Sequence, residues 1–586
     1  MHFRNRASFA FASIALGLVL GACQLFLNDD TTSCSTDGDC AARSAGSVCV
    51  EGLCGASSPK ADGSVAEAGT PPECTTNLEC SQRATAQALA HPVDAGSTDA
   101  SLDAPATDGR VPAVCVKSVG KCAELLSADC TSYSGDDLDE NSIVLGSMFL
   151  LTGSSAPSNI PRAKAVQLAT EELNSAVAGN GIPSVDGGAR RPLLTLYCDE
   201  VVNATRAAEH LVNDLHVPAI IGPARGENVT NFTQNLTANA GTLIMTPSAT
   251  PSAITDLVDN GLTWRIIPSD AQRAPLFIRQ INEIEIAVKA ALPSPARSLK
   301  LAIAFRNDAL GASNRDALVS GLQFNGQFLT LPPNSGVGGL VSLDQYDFTD
   351  PDAQKALALK YATMFKPDIL VVVANEVTTI PVEYEKQRLA MGDSSAPKAY
   401  LVANDVAKIP AWYTPAKAIL GANYEDFRKR VRGFGVRSDG SSISVNSNFL
   451  GAYTARFPGV DTNSSAIAAS YDATYAVAYG IAASANQPLT GNAIAKGLSS
   501  LGSGDTIPVG VINANKAMQL LVGGTSISLV GTLSALKWDV KGDIVGGTLE
   551  SWCVNTTGSG FTAAGETFDV FGRTFTPASN SYIPCP

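Results

Sequence analysis

Three short apolar runs that break off at small or hydroxylated residues constrain the fold of this chain more than any other feature. Val217-Pro-Ala-Ile-Ile ends in Gly222-Pro-Ala-Arg-Gly-Glu, Leu243-Ile-Met ends in Thr246-Pro-Ser-Ala-Thr-Pro-Ser, and Trp264-Arg-Ile-Ile ends in Pro268-Ser-Asp. Runs of this length, bounded in this way, read as strands buried on both faces of a parallel sheet. Their ends present N–H and hydroxyl donors beyond the carboxyl edge of the sheet, where open α/β sheets hold ligands.

Segments after Asn141 alternate in the manner of βαβ units. Residues 143–149 and 193–197 read as strands and residues 163–176 as a helix. Residues 204–215 read as a second helix, whose apolar positions 204, 207, 208, 211, 212 and 215 fall on one face. A second set follows: strands over 301–305, 369–374 and 399–402, with a helix starting near Gly311. Two such sets predict two parallel sheets covered by helices, hence two lobes.

In order along the chain, Leu151-Thr-Gly, Ala169-Thr-Glu-Glu-Leu-Asn, Ile220-Ile-Gly-Pro, Pro247-Ser-Ala-Thr, Arg265 to Asp270, Tyr471-Asp-Ala and the segment from Gly531 to Gly542 resemble the type I periplasmic solute-binding proteins, in particular the branched-chain amino-acid-binding and receptor ligand-binding group. The resemblance implies an α/β fold of two lobes, each a parallel sheet flanked by helices, joined by three crossovers. These are expected near Ser269, residues 433–436 and residues 530–533, giving lobe one 141–268 plus 437–530 and lobe two 269–436 plus 531–586. It also implies a ligand whose carboxylate is held by lobe-one loops and whose ammonium meets a lobe-two carboxylate.

Carried onto this sequence, the first anchor is Ser248, Ala249 and Thr250, with Thr250 as the side-chain donor; a plain tight turn is the alternative. At the second anchor Arg225 and Gly226 stand where relatives have two serines, so a guanidinium replaces a hydroxyl. Arg225 either grips an anion bidentately or is a solvated surface arginine. In lobe two, Leu310 occupies the place of a ligand-contacting tyrosine. Asn375 and Glu376 follow one strand and Asp405 follows another; Asp405 is the first choice for an ammonium counter-charge and Glu376 the second, with a helix N-cap as the competing reading.

Arg4 and Arg6 precede an uncharged run that meets Leu20-Gly-Ala-Cys23, too short for a membrane span and typical of a secretory signal. It resembles a bacterial lipoprotein signal, with residues 1–22 removed and Cys23 lipidated; a chance cysteine is the alternative. Gln24 after the cysteine favours the outer membrane over the inner one in that sorting logic, with the protein facing the periplasm or the surface. Residues 23–140 then hold the anchor, a linker and a duplicated four-cysteine module: Cys34, Cys40, Cys49 and Cys54, then Cys74, Cys80, Cys115 and Cys122. The Ala-, Asp-, Ser- and Thr-rich insert between Cys80 and Cys115 is expected to be disordered, and the acidic run 136–140 to be a solvated linker.

Disulfides are the default for the twelve cysteines of a secreted chain that remain after lipidation. Zinc is the competing reading for the paired ones, although their spacing is wide for it, and no metal or other cofactor is expected. Cys130, Cys198, Cys553 and Cys585 allow three connectivities; Cys130 with Cys198 and Cys553 with Cys585 is the expected one.

The formal charge is −14, and the signal removes two arginines and no acids, so the mature chain at −16, with no Lys/Arg cluster or interleaved aromatic stripe, argues against nucleic acid as a partner. Only His210 and His216 fall in the folded part; His210 sits among polar neighbours and reads as a solvated residue. No nucleophile elbow, phosphate loop or metalloprotease motif occurs, so an enzyme is not expected. The expected function is a lipid-anchored extracytoplasmic receptor for a small polar solute, an amino acid or related compound, that serves ABC import through a transporter permease or reports to a signalling partner. The alternative is an interaction scaffold on the same fold, such as an outer-membrane activator of cell-wall synthesis.

Overall fold

The computed structural model describes residues 47–50, 53–56, 72–90, 102, 109–294, 296–373, 379–392, 397–408, 413–462, 466–485, 487–557 and 560–586. The signal segment, Cys23, Cys34, Cys40, Asn375 and Glu376 lie outside these residues. Within the first 71 residues an antiparallel hairpin pairs Ser47–Val50 with Leu53–Ala56, and Cys49 and Cys54 are register partners in it. Residues 72–586 form one compact unit. Among the described residues no helix is long and apolar enough to cross a membrane.

The first sheet has six strands, β1 Cys130–Ser134, β2 Ile143–Phe149, β3 Leu193–Asp199, β4 Ala219–Ile221, β5 Leu243–Thr246 and β6 Thr263–Arg265, in the order β6-β5-β4-β2-β3-β1. Every residue of β3, β4 and β5 is buried, as continuous apolar strands between two helix layers require. The second sheet has eight: β7 Leu301–Arg306, β8 Val341–Tyr346, β9 Ile369–Val373, β10 Tyr400–Ala403, β11 Val431–Arg437, β12 Thr548–Val554, β13 Phe561–Asp569 and β14 Thr574–Thr576. They run in the order β8-β7-β9-β10-β11-β12-β13-β14.

Neither sheet is wholly parallel. In the first, β1 is antiparallel to β3; in the second, β12, β13 and β14 are antiparallel to their neighbours. The C-terminal strands follow one another through short loops, and without a crossover helix successive strands pair antiparallel.

The chain passes between sheets after β6, where Ser269 closes a capping box on the helix Asp270–Ala291. That helix packs Leu276, Phe277 and Ile281 on the second sheet. It returns after β11, because the helix Ser442–Arg456 buries Val445, Phe449 and Tyr453 in the core of the first.

The third passage is not at residues 530–533. Leu536 and Ile544 are buried in the core of lobe one, Arg265 N–H donates to Gly542 O at 2.9 Å, and Trp538 Nε1 donates to Arg265 O at 2.7 Å. Residues 531–546 therefore cover the exposed edge of β6, and the chain reaches lobe two only where β12 begins. The Tyr471-Asp-Ala element pins the start of this return: Asp472, wholly buried, accepts from Thr532 N at 2.9 Å and Thr532 Oγ1 at 2.7 Å.

The second cysteine module is part of the lobe-one body. Cys74 bonds Cys115 and Cys80 bonds Cys122. The helix Asn77–Ala90 runs into the start of the insert expected to be disordered, with Cys80 and Ala84 buried against Ala113 and Cys115; the disulfides supply the apolar contact that the composition lacks. Val114, Val116 and Leu125 join the lobe-one core. The acidic run is not merely solvated, since buried Asp137 pairs with Arg110 at 2.8 Å and Glu140 accepts from Asn77 N at 2.6 Å. His210 is not solvated either: its Nε2 lies 3.1 Å from Leu125 O and its Nδ1 2.9 Å from Asp214.

Cys130–Cys198 links register partners of β1 and β3, and Cys553–Cys585 holds the C-terminal tail to β12. A Cys130→Ala, Cys198→Ala double variant releases a loop spanning 68 residues. Its urea midpoint should fall by an amount equivalent to about 2–5 kcal/mol. A midpoint equal to that of the parent would mean that β1 is held by the sheet alone.

Candidate functional site

A cavity of about 600 Å3 lies at the carboxyl ends of strands from both sheets. Lobe one contributes Leu150 after β2, Ala224 to Gly226 after β4 and Ser248 to Pro251 after β5; lobe two contributes Arg306 and Asp308 at β7, Asp405 after β10 and Arg437 at the end of β11. Strand order reverses between β2 and β4 in one sheet and between β7 and β9 in the other. The loops on either side of a reversal diverge, and the crevice between them is where α/β sheets bind ligands.

On lobe one, the Leu151-Thr-Gly loop is clamped by Asp199, which accepts from Leu151 N at 2.9 Å and Thr152 Oγ1 at 2.5 Å. The loop after β4 is held by Glu200, whose carboxylate accepts from Ala224 N at 2.6 Å, Arg225 N at 3.3 Å and Asn228 Nδ2 at 2.9 Å. These two backbone donors are thus satisfied from behind rather than offered to a ligand. Gly226 cannot be another residue without movement, because a Cβ there would lie 2.4 Å from Pro251 Cγ. The loop after β5 is held by Arg265, which donates to Pro251 O at 2.9 Å and pairs with Asp543 at 2.6 Å. Burial raises the carboxyl of Asp270 above its ordinary range, against the opposing pull of Arg273 and of the Thr250 and Ser313 hydroxyls.

On lobe two, Asp308 caps the helix Ala309–Gly321 by accepting from Gly311 N at 2.9 Å. Gly311 is required because a Cβ would fall 2.0 Å from Arg306 O. Arg306 pairs with Asp308 at 2.7 Å and lies over the Phe348 ring at 3.8 Å. Arg225 reaches the same ring from lobe one at 5.7 Å, and Ser252 N donates across the cleft to Ser313 Oγ at 2.9 Å.

Ser248, Ala249, Thr250, Arg225, Gly226, Leu310 and Asp405 all line the cavity. Two of them already have charged neighbours. Arg225 is half-buried, 3.7 Å from Glu227 and over Phe348 at 5.7 Å. Asp405 is buried, but Arg273 Nη1 takes its carboxylate at 2.6 Å, so it is not an open counter-charge for an ammonium. Sequence reasoning missed Arg162, Arg273, Arg306, Lys408 and Glu550. Arg162 comes from the first turns of the helix Ala156–Asn174, donates to Asn159 Oδ1 at 3.0 Å, and is lowered to about 10 by burial, with Asp405 and Glu200 opposing the shift. A basic residue in the first turns of a helix that follows a strand tip was the available signal.

Two doubly wound sheets that exchange chain three times around a cavity between them define the type I periplasmic-binding-protein fold. No family model matches this chain, and no curated protein does. Among solved structures it is similar to the branched-chain amino acid transporter substrate-binding protein LivJ from Streptococcus pneumoniae in complex with isoleucine, at 18% identity and TM-score 0.49, over 72% of this chain and 98% of that one. It is also similar to a leucine-binding protein LivK from Thermotoga maritima at 14% identity and TM-score 0.49, over 72% and 97%. An extracellular ligand-binding receptor from Rhodopseudomonas palustris shares 14% identity at TM-score 0.47, over 72% and 99%.

Burial raises Glu200 to about 7. The folded protein therefore keeps a proton that the unfolded chain releases near the ordinary carboxylate range, and this contribution to stability is lost as pH rises through about 7. In Glu200→Gln the fall in urea midpoint between about pH 5 and pH 8 should be shallower than in the parent, with a remainder from Asp472, which burial also raises to about 7. Parallel midpoint-against-pH lines for the two proteins would mean that Glu200 does not titrate in this range.

Proposed function

We propose that this chain is an extracytoplasmic solute-binding protein or receptor whose two lobes close on one small polar solute, an amino acid or related compound. The observation that carries this reading is the cavity of about 600 Å3, with buried polar groups of both lobes on its walls. Its size falls within the roughly 300–1,000 Å3 typical of small-molecule sites. Three connections let the lobes rotate as bodies while a few loop residues absorb the change. The solute then passes to the permease of an ABC importer or its capture is reported to a signalling partner.

A thermal-shift screen of amino acids, organic acids, amides and small sugars tests the reading. A ligand supplied at one hundred times its dissociation constant should stabilise the protein by about 2.7 kcal/mol. Silence across the whole panel would leave the scaffold role on the same fold.

The signal-like residues 1–22 and Cys23 support a lipid anchor, and Gln24 supports an outer-membrane destination. The acyl chains of such an anchor contribute about 0.8 kcal/mol per buried methylene. Cys23→Ser expressed in a bacterium should leave the membrane fraction for the soluble one. Retention of that variant in the membrane fraction after a salt wash would sink the anchor.

A further inference from the structure

The cleft is spanned by side chains of the protein itself at two places. Beside the first passage, Ser252 N of lobe one donates to Ser313 Oγ of lobe two at 2.9 Å, and Ala271 N donates to Ser252 Oγ at 3.1 Å. The other span is aromatic. The Phe348 ring of lobe two takes the Arg306 guanidinium of its own lobe at 3.8 Å and the Arg225 guanidinium of lobe one at 5.7 Å. Both separations fall within the roughly 6 Å over which a ring face attracts a cation, and both arginines line the cavity.

Phe348 follows β8, the edge strand of the second sheet, which β7, β9 and β10 separate from β11. The passages lie on the opposite side, at β11 and β12. Even the helix of the first passage is bonded there, because Gln280 Nε2 donates to Gly433 O in β11 at 3.0 Å and to Ser551 Oγ in β12 at 2.5 Å. Rotation about these passages moves the β8 side furthest, so a contact there resists opening with the longest lever. The ring is also held ready. Buried Gln354 donates to Phe348 O at 3.2 Å, Asn307 N donates to Tyr346 O at 3.0 Å, and Asp347 accepts from Thr349 N at 2.8 Å. Across the cleft, Glu200 accepts from Arg225 N at 3.3 Å. Little backbone freedom is therefore lost when the two sides meet.

We propose that Phe348 is a clasp: its ring joins Arg225 of lobe one to Arg306 of lobe two on the side of the cleft away from the passages, and weights the lobes towards closure before any solute binds. Only the Arg225 contact breaks on opening, because Arg306 travels with the ring. One such contact at an exposed site shifts the ratio of closed to open forms by about two- to five-fold. That is enough to bias the cleft and too little to lock it. A larger closed fraction raises the apparent affinity of whatever binds the closed form. The inference rests on the two-lobed fold rather than on the identity of a solute.

Nitroxides attached through a keto-bearing residue at exposed Val202 of lobe one and exposed Met364 of lobe two avoid the disulfide cysteines. Double electron–electron resonance on the solute-free, full-length protein then reads the distance between the lobes. Phe348→Leu keeps an apolar side chain but loses the ring, and should lower the ratio of short to long distances by about two- to five-fold. Phe348→Trp should hold the short distance at least as well as the parent. Arg225→Gln should match Phe348→Leu, and the double variant should shift no further, since the two side chains form one contact. An unchanged distance distribution in folded Phe348→Leu overturns the clasp, as does a double variant whose shift is the sum of the two singles. Should Phe348→Leu fail to fold, an unchanged distribution in Arg225→Gln overturns it equally. No solute enters the measurement, so a clasp seen here together with silence in the thermal-shift screen would keep this inference and remove the solute-binding reading.

Discussion

The architecture of the cleft depends on one buried guanidinium. Arg265, 1% exposed at the end of β6, pairs with Asp543 at 2.6 Å, donates to the carbonyl of Pro251 at 2.9 Å and bonds the Thr255 hydroxyl. Thr255 in turn donates to Asp543 at 2.7 Å. The arginine therefore ties together the last strand of lobe one, the loop that carries Thr250, and the return segment before the third passage. Taking these charges out of water is costly, and the cost is offset only because the donors and both carboxylate oxygens find partners. Losing either member would free the Thr250 loop and uncover the edge of β6 together.

The two lobes solve the same problem with different chemistry. In lobe one the tips of β2 and β4 are held by two successive carboxylates where β3 ends: Asp199 takes the loop after β2 and Glu200 the loop after β4. In lobe two the tip of β7 turns directly into a helix, so closely that only glycine fits at position 311, and Asp308 serves as both cap and ion-pair partner. The first arrangement spends backbone donors internally. The second leaves side chains, Arg306 above all, to shape the wall. The cleft is accordingly recognised more by guanidinium and hydroxyl groups than by bare strand-tip amides.

The features that were legible in the sequence are those set by short-range periodicity. Apolar runs located the strands, and the Gly, Pro, Ser and Thr that end them located the cavity wall at Ser248 to Thr250 and at Arg225. Partners distant in sequence were not legible. Asp405 reads as an open carboxylate until Arg273, far back along the chain, is seen to occupy it, and Glu200 reads as a helix residue until the loop folds over it. Residues 531–546 carry no strand period, so their lobe is revealed by tertiary contacts: buried Leu536 and Ile544, Trp538 against Trp264 and the bonds to β6. The helix Asn77–Ala90 escaped notice because its composition is that of a disordered segment and its apolar partners are disulfides.

That helix also sets which lobe is fixed relative to the chain's beginning. The second cysteine module adds Val114, Val116 and Leu125 to the core beneath β3 and β4, and is joined to the same lobe by Glu140 with Asn77 and by His210 with Leu125. Disulfides make this attachment insensitive to the weak local propensity of the segment, since they act largely by restricting the unfolded chain. Whatever tethers the residues before the module thus tethers lobe one. The loops gathered by Arg265 belong to the lobe that carries this module.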